Sequence, residues 1–183
     1  RRPFHVYTMK QAIEETFILD VLQYYMPVSS YYRLAKTIEA DPLFDSKRAR
    51  GKLRRYVESH DTAIRSKAEI MVDHFLDDVL PLREMKGEAR AMVVTGGIER
   101  AVQYFGAVRT YLEERRSPFL PIVAFSGEHD FGVGAVSEAS LNGFPSSEIT
   151  SRIQEDPYRF LICADKFQTG YDEPLLHTMY VDK

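Results

Sequence analysis

The chain has 183 residues, of which 44% are apolar, and its formal net charge is −3. A length and apolar share of this kind suit one folded domain, with or without a helical extension, and argue against a disordered protein. No apolar run approaches the ~20 residues that span a bilayer, so we expect no membrane association. The single cysteine, Cys163, excludes an internal disulfide, which fits a reducing cytoplasm. The acidic balance weighs against strong nucleic-acid affinity of the chain as a whole.

The N-terminal part, residues 1–88, is predicted to be a mostly helical extension. Its first helix is predicted at 9–23, with Thr8 as the N-cap. A second helix, predicted at 45–58, carries basic side chains that could meet duplex phosphates, although a solvated helix exterior explains them as well. The strongest helical pattern follows Asp61, because apolar residues recur there at helical spacing. These residues are Ile64, Ala68, Met71, Phe75 and Val79.

The C-terminal part, residues 89–183, alternates predicted strands and helices. Short apolar runs predict strands at 91–94, 120–125, 159–164 and 178–181. A helix is predicted after Gly97 and a short one at 147–156, whereas the Gly- and Ser-rich stretch at 128–144 is predicted to be a long surface loop. Strands that are apolar throughout, with helices between them, indicate a parallel sheet covered on both faces. We therefore predict an α/β fold.

The turn after the first predicted strand, Thr95-Gly96-Gly97, is a candidate phosphate site. Glycine lets backbone approach a ligand closely, and the start of the following helix offers N–H groups and partial positive charge to an anion. The spacing matches neither G-x-G-x-x-G nor G-x-x-x-x-G-K-[ST]. A tight turn with a threonine cap explains the same residues and, from spacing alone, is the better interpretation.

The loop after the third predicted strand, Gln168-Thr169-Gly170-Tyr171-Asp172, is a second candidate site. Ligands of open α/β sheets bind outside the carboxyl ends of the strands. There Thr169 could donate to a phosphate, Gly170 could permit close approach, and Asp172 could accept from a sugar hydroxyl or orient a cation. A loop selected for its turn chemistry is an equally good interpretation of these residues.

Other chemistry-bearing residues are weaker candidates. Glu128-His129-Asp130 has metal-compatible side chains, but no second cluster supports it. Cys163 lies inside an apolar strand, which predicts a buried, inert thiol. We therefore predict neither a metal site nor a catalytic residue within this chain.

Two long stretches resemble a known family of DNA motors. The stretch from Arg159 to Lys183, RFLICADKFQTGYDEPLLHTMYVDK, is similar to motif V of the superfamily-2 motor in type I restriction enzyme R subunits. The stretch from Arg2 to Leu22 is similar to the segment that enters the second motor domain in that family. Shorter similarities are AMVVT at 91–95 to motif IV, VAFSG at 123–127 to the strand after it, and EASLNGFP at 138–145 to a further family segment. The resemblance covers nearly the whole chain in the family's order.

The resemblance implies a RecA-like fold and a place in an ATP-driven motor. Two RecA-like domains would clamp ATP and Mg²⁺ between them and step along double-stranded DNA. By match to motif V, Thr169 and Gly170 would contact the DNA backbone or couple it to the nucleotide cleft, with Gly170 and Asp172 on the nucleotide side. By match to motif IV, Thr95 and Gly96 would meet a DNA phosphate.

The resemblance also implies partners outside the chain. The phosphate loop and the Mg²⁺-binding acids would belong to the first RecA-like domain of the same polypeptide, and motif VI would follow Lys183. The chain begins without methionine and ends directly after a predicted strand, so we expect a piece of a longer protein that neither hydrolyses ATP nor translocates alone. Specificity and methyltransferase subunits of a cytoplasmic, prokaryotic restriction complex would be further partners. Thr16 stands where the family has glycine, within the predicted first helix.

Three other interpretations stay open at this point. The chain could belong to a repair or remodelling helicase of the same superfamily, because motif V alone separates these relatives poorly. It could instead be a non-catalytic α/β interaction module that binds a protein through its helical extension. A stand-alone nucleotide-binding enzyme is disfavoured by the lack of a glycine fingerprint.

Overall fold

The computed structural model describes residues 8–16, 61–82, 86–132 and 134–183. Its helices are α1 Met9–Glu14, α2 Asp61–His74, α3 Ile98–Glu114, α4 Glu138–Asn142 and α5 Ile149–Arg152. A π-helical turn, Phe75–Val79, continues α2, and a 3₁₀ turn, Ser146–Glu148, precedes α5. Its strands are β1 Arg90–Thr95, β2 Leu120–Ala124, β3 His129–Asp130, β4 Ala135–Val136, β5 Tyr158–Cys163 and β6 Leu176–Asp182.

The main sheet has four parallel strands in the order β2-β5-β1-β6. β1 lies inside the sheet, where Val93 is in register with Ile162 on one side and with Tyr180 on the other. All six residues of β1 are buried, as expected of an apolar strand covered on both faces. The predicted α/β class with a parallel sheet and flanking helices is confirmed, and the arrangement is consistent with a RecA-like fold.

One face of the sheet is covered by α2, its π-helical turn and α3. The predicted apolar positions of α2 and this turn are all buried there: Ile64, Ala68, Met71, Phe75 and Val79. The Phe75 ring meets the Phe160 ring of β5 edge to face, with centroids 4.7 Å apart. α2 thus shares a core with the sheet. The division of the chain at residue 88 stays a prediction.

The opposite face is covered by α5 and the segment leading to it. Ile149, Ile153 and Phe144 pack on Leu161 and the other side chains of this face. Leu161 belongs to this cluster whereas Ile162 belongs to the first one, as the two-residue period of a strand requires. The sheet is therefore the middle of three layers.

The amino edge of the sheet is closed by two buried arginines. Arg90 donates from Nε to the carbonyl oxygen of Ile153 at 2.7 Å, and Arg159 donates from Nη1 to that of Gly87 at 2.8 Å. Asp156 balances part of this positive charge, with its Oδ1 2.6 Å from Nη2 of Arg159 and 3.7 Å from Nη2 of Arg90. Burial and the neighbouring Arg159 lower the pKa of Arg90. The two arginine side chains thus hold backbone carbonyl groups at this edge.

Some predicted elements differ from the structure. The stretch predicted as a long loop at 128–144 contains the antiparallel pair β3–β4 and α4. Ser137 caps α4 through a capping box with Ser140, a signal that the sequence reading overlooked. α1 has the predicted cap Thr8, but it ends at Glu14, and Thr16 has a left-handed φ of 63° outside the helix rather than within it.

Several sequence predictions lie outside the described residues. They are the helix at 45–58 with its basic side chains and the part of the predicted first helix beyond Thr16. None of the described helices combines the length and the apolarity needed to cross a membrane.

The docking of α2 on the sheet predicts a large difference between two substitutions in this helical segment. Phe75→Ala removes a fully buried ring and should lower the free energy of unfolding by about 3–5 kcal/mol. Ile70→Ala, at a position 43% exposed, should lower it by less than about 1 kcal/mol. Urea unfolding of both variants measures this, and equal small losses would show that α2 does not pack as described.

Candidate functional site

The carboxyl edge of the sheet contains a topological switch point. From β1 the chain runs through α3 past β5 to β2, whereas from β5 it runs past β1 to β6. The connections of these two neighbouring strands therefore leave in opposite directions. A crevice forms at such a point, and open α/β sheets bind their ligands there. The two candidate loops of the sequence analysis follow β1 and β5, so both begin at this point.

Thr95 ends β1 and joins it to β5. Its side chain is buried, and Oγ1 lies 3.0 Å from the carbonyl oxygen of Gly97 and 3.2 Å from that of Cys163. A hydroxyl has one proton to donate, and here both acceptors are backbone of the domain itself. The side chain of Thr95 thus fixes the crevice from inside, and its predicted contact with a DNA phosphate stays a prediction.

Gly96 is the exposed residue of this turn. A side chain at this position would sit against β6, with Cα of Lys183 3.6 Å from the added Cβ. The next residue, Gly97, is the N-cap of α3 and provides no side chain to accept from the first N–H groups of that helix. Backbone N–H groups, rather than the Thr95 hydroxyl, are therefore the donors that this turn offers to an anion.

The loop after β5 has an unusual backbone. Asp165, Phe167 and Gly170 have φ values of 54°, 62° and 72°, in the left-handed region. For the two residues that are not glycine this conformation costs roughly 1 kcal/mol or more each. The loop turns three times in a short span as a result, and it presents Thr169 and Asp172 to solvent.

The predicted ligand residues of this loop keep their side chains available. Thr169, Gly170 and Asp172 are all exposed, and no side-chain hydrogen bond joins Thr169 or Asp172 to the described part of the chain. Asp172 also borders a groove of about 200 Å³, together with Gln168 and Tyr171. Met92 and Met179 line the same groove, so it runs along the sheet face beside β1 and β6 and does not lie between the carboxyl ends of β1 and β5. Ligand pockets usually measure 300 Å³ or more, so this groove would hold only part of a nucleotide.

Two buried polar atoms of the same groove are not paired within the described residues. They are Nε2 of Gln168 and the hydroxyl oxygen of Tyr171. Burial raises the pKa of Tyr171, which keeps its hydroxyl protonated as a donor. The other end of the Gln168 amide accepts from Nζ of Lys183 at 2.6 Å, which ties the loop to β6. The groove therefore has donors beside the exposed carboxylate of Asp172.

The end of β6 carries a second polar cluster, which the sequence analysis missed. The carboxylate of Asp182 accepts from Nζ of Lys67 at 2.7 Å and from the hydroxyl of Tyr104 at 2.8 Å. Nη1 of Arg100 lies 3.8 Å from the same carboxylate. Burial and the Asp182 charge raise the pKa of Tyr104. This cluster joins α2, α3 and β6. It could not be predicted from the sequence because its members are far apart in the chain.

Glu138 is the second residue that the sequence analysis missed. Its buried carboxylate accepts from the backbone N–H of Phe125 at 2.6 Å and from Nζ of Lys166 at 2.7 Å. The segment 138–145 had been noted only for its resemblance. An acidic residue directly after a capping serine was the available signal.

The weaker sequence candidates have structural roles. His129 contacts the carbonyl oxygen of Ser126 at 2.9 Å, and Asp130 accepts from the backbone of Gly132 at 2.8 Å, as in a turn. No group of three or more potential metal ligands occurs among the residues that the structure describes. Cys163 is buried, as predicted, and burial raises the pKa of its thiol to about 11.

No protein-family model, curated protein or solved structure matches this chain. The family resemblance therefore depends on the residues of the chain itself, and the geometry of the carboxyl edge has to be judged on its own.

Replacing Thr95 should weaken the junction between β1 and β5. Thr95→Val keeps the shape of the side chain but leaves two carbonyl groups without this donor, so the free energy of unfolding should fall by about 1–3 kcal/mol. Thr110→Val, at an exposed position of α3, should change it by no more than about 0.5 kcal/mol. Chemical denaturation measures both, and a Thr95 variant as stable as the Thr110 control would contradict the role given to this hydroxyl.

The Cys163 thiol should react slowly in the folded protein. A pKa of about 11 instead of 9.0 lowers the thiolate fraction at pH 8 about 100-fold. Because folding raises this pKa, the thiol contributes stability that is present below pH 9.0 and is lost as the pH rises towards 11. A chromogenic disulfide reagent should thus modify urea-unfolded protein at least about 100-fold faster than native protein. Equal rates would show that the thiol is accessible.

Proposed function

We propose that this chain is the second RecA-like domain of a superfamily-2 DNA motor, in the R subunit of a type I restriction enzyme. In the intact protein it would form one side of an ATP cleft and contact the backbone of double-stranded DNA. The other side of the cleft would come from the first RecA-like domain of the same polypeptide. Specificity and methyltransferase subunits would complete the complex in the cytoplasm of a prokaryote.

The observation that carries this proposal is the meeting of the two candidate loops at one switch point. The loops resemble motifs IV and V, and they are separated by about 70 positions in the chain. The Oγ1 of Thr95, in the first loop, lies 3.2 Å from the carbonyl oxygen of Cys163, directly before the second. Both loops thus begin at the edge where parallel sheets bind ligands.

The exposed groups of the two loops suit the ligands of a motor. Asp172 could accept from a ribose hydroxyl, and the donors of Gln168 and Tyr171 border the same groove. The hydroxyl of Thr169 and the backbone at Gly96 and Gly170 could donate to phosphate oxygens. These residues fit part of ATP but not Mg²⁺, because no ligand cluster for a metal occurs among the described residues. In the proposal, the first domain holds the metal and the β- and γ-phosphates.

A second candidate function is supported by one observation on β6, beside the groove that Asp172 borders. Met179 and Val181 are 57% and 62% exposed, and they form an apolar strip on the sheet face that α5 covers elsewhere. Exposed apolar side chains of this size are typical of protein contact surfaces. A non-catalytic interaction module would use this strip and would need neither Thr169 nor Asp172.

The proposal is tested by DNA-stimulated ATP hydrolysis of the full-length protein. Asp172→Ala and Thr169→Ala should each lower the stimulated rate about tenfold or more, because each removes a contact made at the cleft or at the DNA. Asp78→Ala and Thr150→Ala provide matched exposed controls and should retain the rate within about twofold. Circular dichroism of every variant shows that the fold is kept.

Two results would count against the motor. One is a full-length protein without DNA-dependent ATP hydrolysis. The other is normal hydrolysis in both the Asp172 and the Thr169 variant. In either case the interaction module becomes the better candidate, and Met179→Ser with Val181→Ser should then abolish the protein contact.

A further inference from the structure

The carboxylate of Glu138 joins two segments of the carboxyl edge that are far apart in sequence. Its side chain is only 5% exposed. Oε1 accepts from the N–H of Phe125, the residue after β2, at 2.6 Å. Both oxygens accept from Nζ of Lys166, in the loop after β5, at 2.7 and 2.9 Å. One carboxylate therefore links the end of β2 to the loop that carries Thr169 and Asp172.

The two partners of this ion pair do not depend on it equally, because Glu138 is the more deeply buried of the two. A desolvated carboxylate without a partner is costly, so Glu138 requires the ammonium group of Lys166 more than Lys166 requires Glu138. The Lys166 side chain is 29% exposed and could turn to water if the carboxylate lost its charge. Its Nζ also lies 5.3 Å from the ring centre of Phe167, which adds a cation–π contact on the same side.

The position of Lys166 within its loop shows what the link holds. Its two neighbours, Asp165 and Phe167, both have left-handed φ values. A loop that contains such residues relaxes unless surrounding contacts hold them. Within the described residues, the hydrogen bonds from this loop to other elements through side chains are those of Lys166 to Glu138 and of Gln168 to Lys183. The Glu138 contact lies directly between the two strained residues.

We propose that Glu138 is a positioning residue for the loop 164–172 and acts through Lys166. It holds the strained backbone so that Thr169, Gly170 and Asp172 are presented to their ligand. The identity of that ligand, ATP with DNA, rests on the function proposed above, whereas the positioning of the loop does not.

The first measurement is hydrogen–deuterium exchange of the full-length protein, which does not depend on activity. Glu138→Gln keeps an oxygen that can accept from the N–H of Phe125 but removes the charge that holds Lys166. The amides of residues 164–172 should then exchange about tenfold faster or more, while those of β1 exchange as in the wild type. Lys166→Met should show the same local increase. Lys166→Arg should exchange as slowly as the wild type, because it keeps a cation beside Glu138.

The second measurement is the concentration dependence of DNA-stimulated ATP hydrolysis. A misplaced loop weakens the binding of ATP more than it slows the hydrolysis of bound ATP. Glu138→Gln and Lys166→Met should therefore raise the half-saturating ATP concentration about tenfold and change kcat less than about twofold. If the residues act through each other, the double variant is no worse than the more impaired single variant. Lys10→Met, which breaks a pair whose side chains are 84% and 61% exposed, should leave both parameters unchanged.

The outcomes separate this inference from the proposed function. Unchanged exchange at 164–172 in both variants overturns the positioning role, whatever the activity. Faster exchange spread over β1 and β5 also overturns it, because Glu138 would then support the fold in general. Faster local exchange in a protein without DNA-dependent ATP hydrolysis keeps the positioning role and removes the motor. Faster local exchange with raised half-saturation supports both.

Discussion

The parallel pairing of β1 on both of its edges is the constraint from which the rest of the structure follows. A strand in that position is buried on both faces, so it requires a layer of helices on each side. The chain leaves β1 past β5 and leaves β5 past β1, on opposite faces of the sheet, and open α/β sheets bind ligands where the connections change direction in this way. Thr95 fills the base of the crevice with a hydroxyl that is bonded to the end of β5. The strand order thus determines where the candidate site lies, whatever residues line it.

Two carboxylates, the buried Glu138 and the half-buried Asp182, fix the elements around this crevice. Asp182 joins the end of β6 to α2 and α3, and Glu138 joins the end of β2 to the loop after β5. Each is paired with a lysine and has a second donor, which is the condition under which a desolvated charge is tolerated. Exposed pairs such as Arg65 with Glu69 contribute much less, because water screens them. At the carboxyl edge, these two ion pairs therefore fix the geometry around a loop that contains left-handed residues.

The sequence predicted those parts of the molecule that local patterns determine. The four apolar runs are the four parallel strands of the structure. The helical period of residues 64–79 predicted which positions of α2 and its π-helical turn are buried. Cys163 is buried, as its place in an apolar strand implied. The hairpin and α4 were missed because glycine and serine were taken as signs of a loop, although Ser137 is a helix cap. Thr16 was predicted within a helix because the apolar residues around it recur at helical spacing. It has instead the left-handed backbone that glycine adopts most easily. The family that the chain resembles has glycine at this position. Glu138 and Asp182 could not have been predicted as site residues, since their lysine partners are 28 and 115 positions away.

The distribution of basic groups at the carboxyl edge bears on how a motor of this kind would hold DNA. Lys166 is bonded to Glu138, Lys183 to Gln168, and Lys67 and Arg100 face Asp182. Among the described residues these cations serve the fold, so in the proposed function the groups of this edge that are left to meet a phosphate are neutral: the hydroxyl of Thr169 and backbone N–H groups near Gly96 and Gly170. Neutral donors position a backbone and release few counterions, so they add little salt-dependent affinity. A net charge of −3 is compatible with the proposed role, because a domain that released and rebound DNA at every step would gain nothing from tight electrostatic binding.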